Sequence, residues 1–447
     1  MNDTIVAIST AMGEGAISII RISGEEAINI VNDLFPEKDL KKVASHTINY
    51  GHIVYNDEII DEVLISIMKA PKTYTKEDII EINTHGSIAV VNKIMEILLI
   101  KGCRLAEPGE FTKRAFLNGR IDLTESEGIM NLINSETELT RKMAINEISG
   151  KVSDLIKNLR EKIVGLISNI EVNIDYPEYK DIEIITNNNI KQEIKEIKEK
   201  LFDILRLSED GKILKDGIKT VILGKPNVGK SSLLNALLEE EKAIVTDVKG
   251  TTRDIVEGNI IVGGVKLNLI DTAGVRKSND KVEKIGIEKS IKLIDEAELV
   301  LLVLDSSEKL TQEDIFLLEK TKDKKRIILM NKTDLPKENE YNKDIIEISI
   351  KENKGIDDIK EKIKTLFNVS NFMNKNLVFF TSSRQIALLK LAIESVEEVE
   401  KGLQEEREVD MIEIDLKIIW ERLGDIIGAN YTEELIDDLF KRFCLGK

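Results

Sequence analysis

The chain has 447 residues, 42% of them hydrophobic, with 64 basic and 81 acidic side chains and a formal net charge of −17. That length suggests two to four domains with cores of their own, and the acidic balance argues against a simple electrostatic nucleic-acid clamp, while leaving room for RNA held through a local patch or a partner protein. The two cysteines, Cys103 and Cys444, exclude a disulfide scaffold and fit a reducing cytosol.

In chain order, the opening "MNDTIVAIST" alternates polar with apolar residues and does not read as a leader. No run of about 18 apolar residues follows anywhere, so no membrane span is expected. Residues 1–118 read as mixed α and β. "INYGHIVYNDEIIDEVLISIM" is strand-like on either side of a polar turn at Asn56-Asp57. "GSIAVVNKIMEILLIKG" has helical spacing and closes on Gly102. The histidines His46, His52 and His85 are scattered, without metal-ligand spacing.

Residues 119–215 turn helical: Ile190, Ile194, Ile197, Leu201 and Ile204 form one apolar stripe between Lys and Glu residues. Across 216–372, short β-branched runs ("IKTVIL", "KLNLID", "LVLLVLD", "RIILMN", "IIEIS") alternate with helical segments, the pattern of a mostly parallel sheet. Residues 373–447 return to helix, with a second stripe at Leu389, Ala392, Val396, Val399 and Leu403. Helices on both sides of an α/β unit predict an insertion, the helical domain being assembled from 119–215 and 373–447.

Inside the α/β unit, "GKPNVGKSS" (224–232) matches the phosphate-loop pattern, with a strand before it and a helix after. It supplies Asn227, Val228, Gly229, Lys230, Ser231 and Ser232. Backbone N–H groups at a helix N-terminus cradle phosphate oxygens, Lys230 reaches the β- and γ-phosphates, and the Ser231 hydroxyl suits Mg²⁺. "GTTRD" (250–254) offers Thr252 as a second Mg²⁺ ligand. "DTAG" (271–274) places Asp271, Thr272, Ala273 and Gly274 near Mg²⁺ and γ-phosphate. "NKTD" contributes Asn331, Lys332 and Asp334; the Asp334 carboxylate accepts from N1–H and the 2-amino group of guanine, a donor pair that adenine lacks. "SIK" (Ser349, Ile350, Lys351) covers the base edge. Their order and strand-end positions point to a GTPase. Val275 follows "DTAG" where Ras-type enzymes place a water-orienting glutamine, and its side chain cannot hydrogen-bond. Arg253, Arg276 and Glu283 are the nearby alternatives, each of which is otherwise a solvated charge.

These motifs, the helical surround and the ending "FCLGK" together resemble the MnmE (TrmE) family of tRNA-modification GTPases over essentially the whole chain. The resemblance implies a potassium ion in place of an arginine finger, held by the Asn227 side chain and the backbone of Thr246, Val248 and Thr251. The nucleotide-contacting loop then runs through Thr246, Asp247, Val248, Lys249, Gly250, Thr251 and Thr252. Glu283 in "KVEKIG" matches the family's catalytic glutamate, which acts through water.

"RISG" (21–24), "EDIIEINTHG" (77–86) and "PGEFTKRAFLNGRIDL" (108–123) resemble the family's amino-terminal domain. The likeness implies an α+β folate-binding-like fold that takes 5-formyl- or 5,10-methylene-tetrahydrofolate at Arg21, Glu81, Arg120 and Lys447, and that forms the homodimer. The family often carries Lys where Arg120 stands. From the residues alone, Arg21 and Glu81 are equally readable as a structural ion pair, and Lys113, Arg114 and Arg120 as a solvated loop face or a tRNA contact.

The family resemblance further implies a complex with the flavoprotein MnmG, tRNA as substrate of that complex, no membrane, and a cytoplasmic setting. The competing readings are a regulatory GTPase such as a ribosome-assembly factor, and a membrane-anchored GTPase resting on Cys444 alone. Gly446 and Lys447 fit a prenylation box poorly. The amphipathic lead-in "ELIDDLFKRF" predicts a docked tail, with Cys444 either packing or serving as a thiol whose ionisation Lys441, Arg442 and Lys447 favour.

Overall fold

The computed structural model describes residues 3–175, 187–239, 258–270, 285–374, 377–430, 433–441, 443 and 446. The chain divides into two compact units. One is made of Met1–Met130, Ser153–Lys180 and Glu413–Lys447; the other of Asn131–Val152 and Asp181–Ile412.

The first unit holds a six-stranded sheet of β1 (Ile5–Ile8), β2 (Gly15–Ser23), β3 (Thr47–Tyr55), β4 (Glu58–Met68), β5 (Ile79–Gly86) and β6 (Arg104–Leu105). Its order is β3-β4-β5-β2-β1-β6, antiparallel except where β6 pairs with β1. Asn56 and Asp57 take positive φ of 52° and 64°, which makes the tight turn expected between β3 and β4. The helix Ile88–Ile100 buries Val91, Ile94, Met95, Ile97 and Leu98 on a core that also contains Ile20, Ile22, Ile65 and Ile82. Cys103 lies in that core, and burial pushes its thiol up to about 12, so it stays protonated and unreactive. A short helix, Glu433–Phe440, docks through Ile436 and Phe440 onto Leu123, as its amphipathic pattern predicts.

The second unit is built on β7 (Ile218–Leu223), β8 (Asn259–Val262), β9 (Val265–Leu269), β10 (Leu299–Asp305), β11 (Arg326–Asn331) and β12 (Ile345–Glu347). The order is β12-β11-β10-β7-β9-β8, parallel except for the β8–β9 hairpin. Every residue of β10 is buried, which is why it reads as an unbroken apolar run. Both helical stripes are buried as well, on Asn187–Asp216 and Ser383–Gln404. These two helices pack on each other, and Lys198 bridges them to Glu397 and Glu400 at 3.3 and 2.5 Å.

Candidate functional site

The loop 224–229 joins the end of β7 at Leu223 to the helix Lys230–Glu239. Gly229 has φ +103°, and a Cβ there would lie 2.3 Å from the Asn331 side-chain nitrogen, so only glycine fits. Asn227 is also left-handed, at φ 62°. Lys230 turns back over the loop, its Nζ donating to the Gly224 and Lys225 carbonyls at 2.5 and 2.8 Å. Burial pulls the pKa of this ammonium down, opposed by the charge of Glu313. A desolvated cation over a turn that opens a helix is suited to meeting phosphate charge. Ser231 and Ser232 stand exposed in the first turn of the helix.

Three neighbouring strand ends complete this site. Asn331 closes β11 and donates from Nδ2 to the Val228 carbonyl at 2.7 Å, a buried bond, while its Oδ1 accepts from the Ile350 N–H at 3.5 Å. Lys332, at φ 65°, pairs with Asp305 at the end of β10 at 2.5 Å. Burial works against ionisation of Asp305, but hydrogen bonds from Lys332 and Ser307 outweigh it and hold the carboxyl below its ordinary range. Asp334 accepts the Ser349 hydroxyl on Oδ1 at 2.8 Å, with the Lys351 ammonium 4.0 Å from Oδ2. Phosphate loop, Asn331, Asp334 and Ser349 thus gather at the carboxyl ends of the parallel strands, where open α/β sheets bind ligands. Asp305 was not singled out in the sequence; the final acid of "LVLLVLD" is its one signal. Thr246, Asp247, Val248, Lys249, Gly250, Thr251, Thr252, Asp271, Thr272, Ala273, Gly274 and Glu283 lie outside the described residues.

In the other unit, Arg21 on β2 and Glu81 on β5 are register partners. Arg21 donates from Nε and Nη2 to Glu81 Oε1 at 2.8 and 2.7 Å, with the two side chains 19% and 22% exposed. Tyr74, which sequence reasoning missed, lies near two cations: the guanidinium of Arg21 lies 5.9 Å from its ring centre and that of Arg120 lies 4.7 Å away. Its hydroxyl shares a hydrogen bond with Thr112 at 2.9 Å. "KTYTKE" is an irregular loop between β4 and β5, so no periodicity marks the tyrosine. Gly446 reaches this site: its carbonyl accepts from Ser9 Oγ at 3.2 Å and Arg21 Nη1 at 3.4 Å. Gly446 has φ +88°, and a Cβ would lie 2.5 Å from the Ile8 carbonyl oxygen, which explains a glycine in "FCLGK". Cys444 and Lys447 lie outside the described residues.

The basic cluster at 113–120 is not one solvated face. Arg114 is 1% exposed and ion-pairs with Asp3, Glu77 and Glu110 at 2.7, 3.1 and 3.0 Å. Lys113 pairs with Asp437. Arg120 alone of the three is exposed.

A family model described as the MnmE helical domain matches residues 123–444, and one described as the GTP-binding protein TrmE N-terminus matches residues 4–120. The chain belongs to the MnmE (TrmE) family. The tRNA modification GTPase MnmE of Streptococcus thermophilus is 51% identical over 449 residues, covering 100% of this chain and 98% of that protein. Its namesake from Streptococcus mutans is 50% identical over 449 residues, covering 100% and 99%. The MnmE of Ligilactobacillus salivarius is 50% identical over 455 residues, covering 100% and 98%. The solved G domain of the T. maritima FeoB iron transporter is 28% identical over 33% of this chain and 98% of that one, with a TM-score of 0.24, too low to add to the assignment.

Proposed function

We propose that this chain is a potassium-activated GTPase that, with the flavoprotein MnmG, installs an aminomethyl or carboxymethylaminomethyl group at C5 of the wobble uridine of certain tRNAs. The carbon comes from 5-formyl- or 5,10-methylene-tetrahydrofolate. The observation that carries the GTPase reading is the Asn331–Val228 hydrogen bond at 2.7 Å, which ties the strand bearing Asp334 to the phosphate loop. A guanine acceptor and a phosphate cradle then sit at a fixed spacing. Full-length likeness to proteins named tRNA modification GTPases supports the tRNA half.

On this reading residues 216–372 are the G domain, inserted in a helical domain of 119–215 and 373–447, with 1–118 as the folate-binding and dimerising domain. Lys230 leaves the Gly224 and Lys225 carbonyls and meets the β- and γ-phosphates. Asp334 accepts from guanine while Ser349 fixes its carboxylate and Lys351 shields it. The exposed Ser231 hydroxyl, with Thr252, holds Mg²⁺; the left-handed Asn227, with the backbone of Thr246, Val248 and Thr251, holds potassium. Such cations offset charge that builds between the β- and γ-phosphates. Glu283 orients water where Val275 cannot. Hydrolysis then drives dimerisation of G domains and a conformational change rather than chemistry on uridine.

The folate reading is supported by Glu81, whose two bonds to Arg21 both use Oε1; among the described residues its Oε2 has no hydrogen-bond partner. A carboxylate oxygen of this kind suits the paired N–H donors of a pterin. Arg21, Arg120 and Lys447 complete the set. Cys444 acts at the same end of the tail as a thiol, in a cytoplasmic homodimer that joins MnmG in a heterotetramer.

The test is GTP turnover in potassium against sodium at equal ionic strength. Turnover is faster in potassium, and the difference disappears in Asn227→Ala and in Glu283→Ala. Equal rates in the two salts would sink the potassium assignment.

A further inference from the structure

An open pocket of about 500 Å³ lies between the β3 approach and the loop after β4, with Tyr74 in its lining. Its lining includes His46, Lys72, Tyr74, Lys76 and Arg120, all described residues, and no Asp or Glu. The cleft is thus lined by basic groups without a carboxylate, in a chain of net charge −17. Lys76 donates its ammonium to the Asn118 and Gly119 carbonyls at 2.9 and 3.0 Å rather than to an acid. His46 shares a hydrogen bond with Ser45. Arg120 lies over the Tyr74 ring, with Glu125 the acid whose charge it feels. Lys72 is exposed and has no acidic partner among the described residues. Tyr74 links the pocket to Arg21: Tyr74 and Arg120 both line it, and the Arg21 guanidinium lies 5.9 Å from the Tyr74 ring centre.

We infer that this pocket is an anion subsite continuous with the Glu81 site, and that it takes the poly-γ-glutamyl tail of a folate. The inference rests on the folate reading above and adds to it a preference among folates. A pterin paired at Glu81 directs its aminobenzoyl-glutamate past Tyr74. Each added γ-linked glutamate brings one more carboxylate, and the lining offers cations to receive them without an acid to repel them. Contacts of this exposed kind are individually weak and screened by salt, so their effect grows with tail length and fades with ionic strength.

The experiment is calorimetry on the full-length protein with 5-formyl-tetrahydrofolate as the monoglutamate and as the triglutamate. The triglutamate binds tighter by roughly tenfold at low salt, and the ratio shrinks in about 0.5 M salt, where the Debye length is only a few ångströms. In Lys72→Glu the monoglutamate affinity holds and the triglutamate advantage is lost; Lys72→Gln loses about half of it. Equal binding of the two forms by the unaltered protein overturns the subsite and leaves the folate reading standing. No heat with either form overturns both. A Lys72→Glu protein that keeps the full triglutamate advantage but binds tRNA more weakly overturns the subsite and assigns the pocket to RNA phosphates instead.

Discussion

The Asn331 side chain donates to the Val228 backbone carbonyl at 2.7 Å, across 103 residues of sequence. On the proposed reading, base recognition and phosphate binding are thereby one rigid object, because the bond is buried and the adjoining Gly229 leaves no room for a side chain. Asn331→Ala leaves the Val228 carbonyl without this donor, at a cost of about 1–3 kcal/mol. GTP affinity falls by roughly 5- to 100-fold, with helix content unchanged. Nucleotide titration alongside circular dichroism checks both; unchanged affinity contradicts the coupling.

The proposed reading has Asp334 set the base. Asp334→Asn keeps an acceptor for guanine N1–H but turns a donor toward the 2-amino group. One charge-assisted hydrogen bond is lost and the other becomes neutral, worth together about 2–4 kcal/mol. GTP affinity drops and xanthosine triphosphate, which presents a carbonyl at position 2, gains. Competition between the two nucleotides reads this directly, and an unaltered preference for GTP would remove Asp334 from base recognition.

Glu81→Gln separates a ligand role from a structural one. The Arg21–Glu81 pair is about a fifth exposed, so its contribution to stability is modest, about 0–1 kcal/mol. The melting temperature barely moves, GTP turnover is unchanged, and heat from 5-formyl-tetrahydrofolate is lost. A variant that still binds folate returns the pair to a purely structural role.

Arg114 is a stability residue. Arg114→Met strips a buried cation from Glu77 and Glu110 and destabilises the first unit by about 3–5 kcal/mol, seen as an earlier unfolding transition. The same network gives an acid dependence. Burial opposes ionisation of Glu110, but hydrogen bonds from Arg104, the Glu107 N–H and Arg114 prevail and hold its carboxyl below 4.5. A depressed carboxyl contributes stability above 4.5 and loses it as pH falls through the folded value. The unit's melting temperature therefore drops in acid, less steeply in Arg114→Met.

Physical reasons divide what the sequence reveals from what it hides. β7, β10 and β11 are legible because strands buried on both faces read as short apolar runs. The phosphate loop is legible because glycine and lysine spacing is imposed locally. Arg114 is hidden, since its partners Asp3 and Glu77 stand 111 and 37 residues away and a charged residue reads by default as surface. Tyr74 is hidden because an irregular loop has no period. The place of Gly446 beside Arg21, 425 residues distant, follows only from the docking of Glu433–Phe440, which does show in its amphipathic pattern.

GTP hydrolysis by this chain serves modification of tRNA, and nucleoside analysis reads that link at its product. The tRNA is taken from cells that lack their own copy of the gene and carry this one. The unaltered chain restores the C5-modified wobble uridine, and Lys230→Ala, deprived of the ammonium over the 224–229 loop, does not. Unmodified uridine with the unaltered chain present, or full restoration by Lys230→Ala, would break the link between hydrolysis and modification.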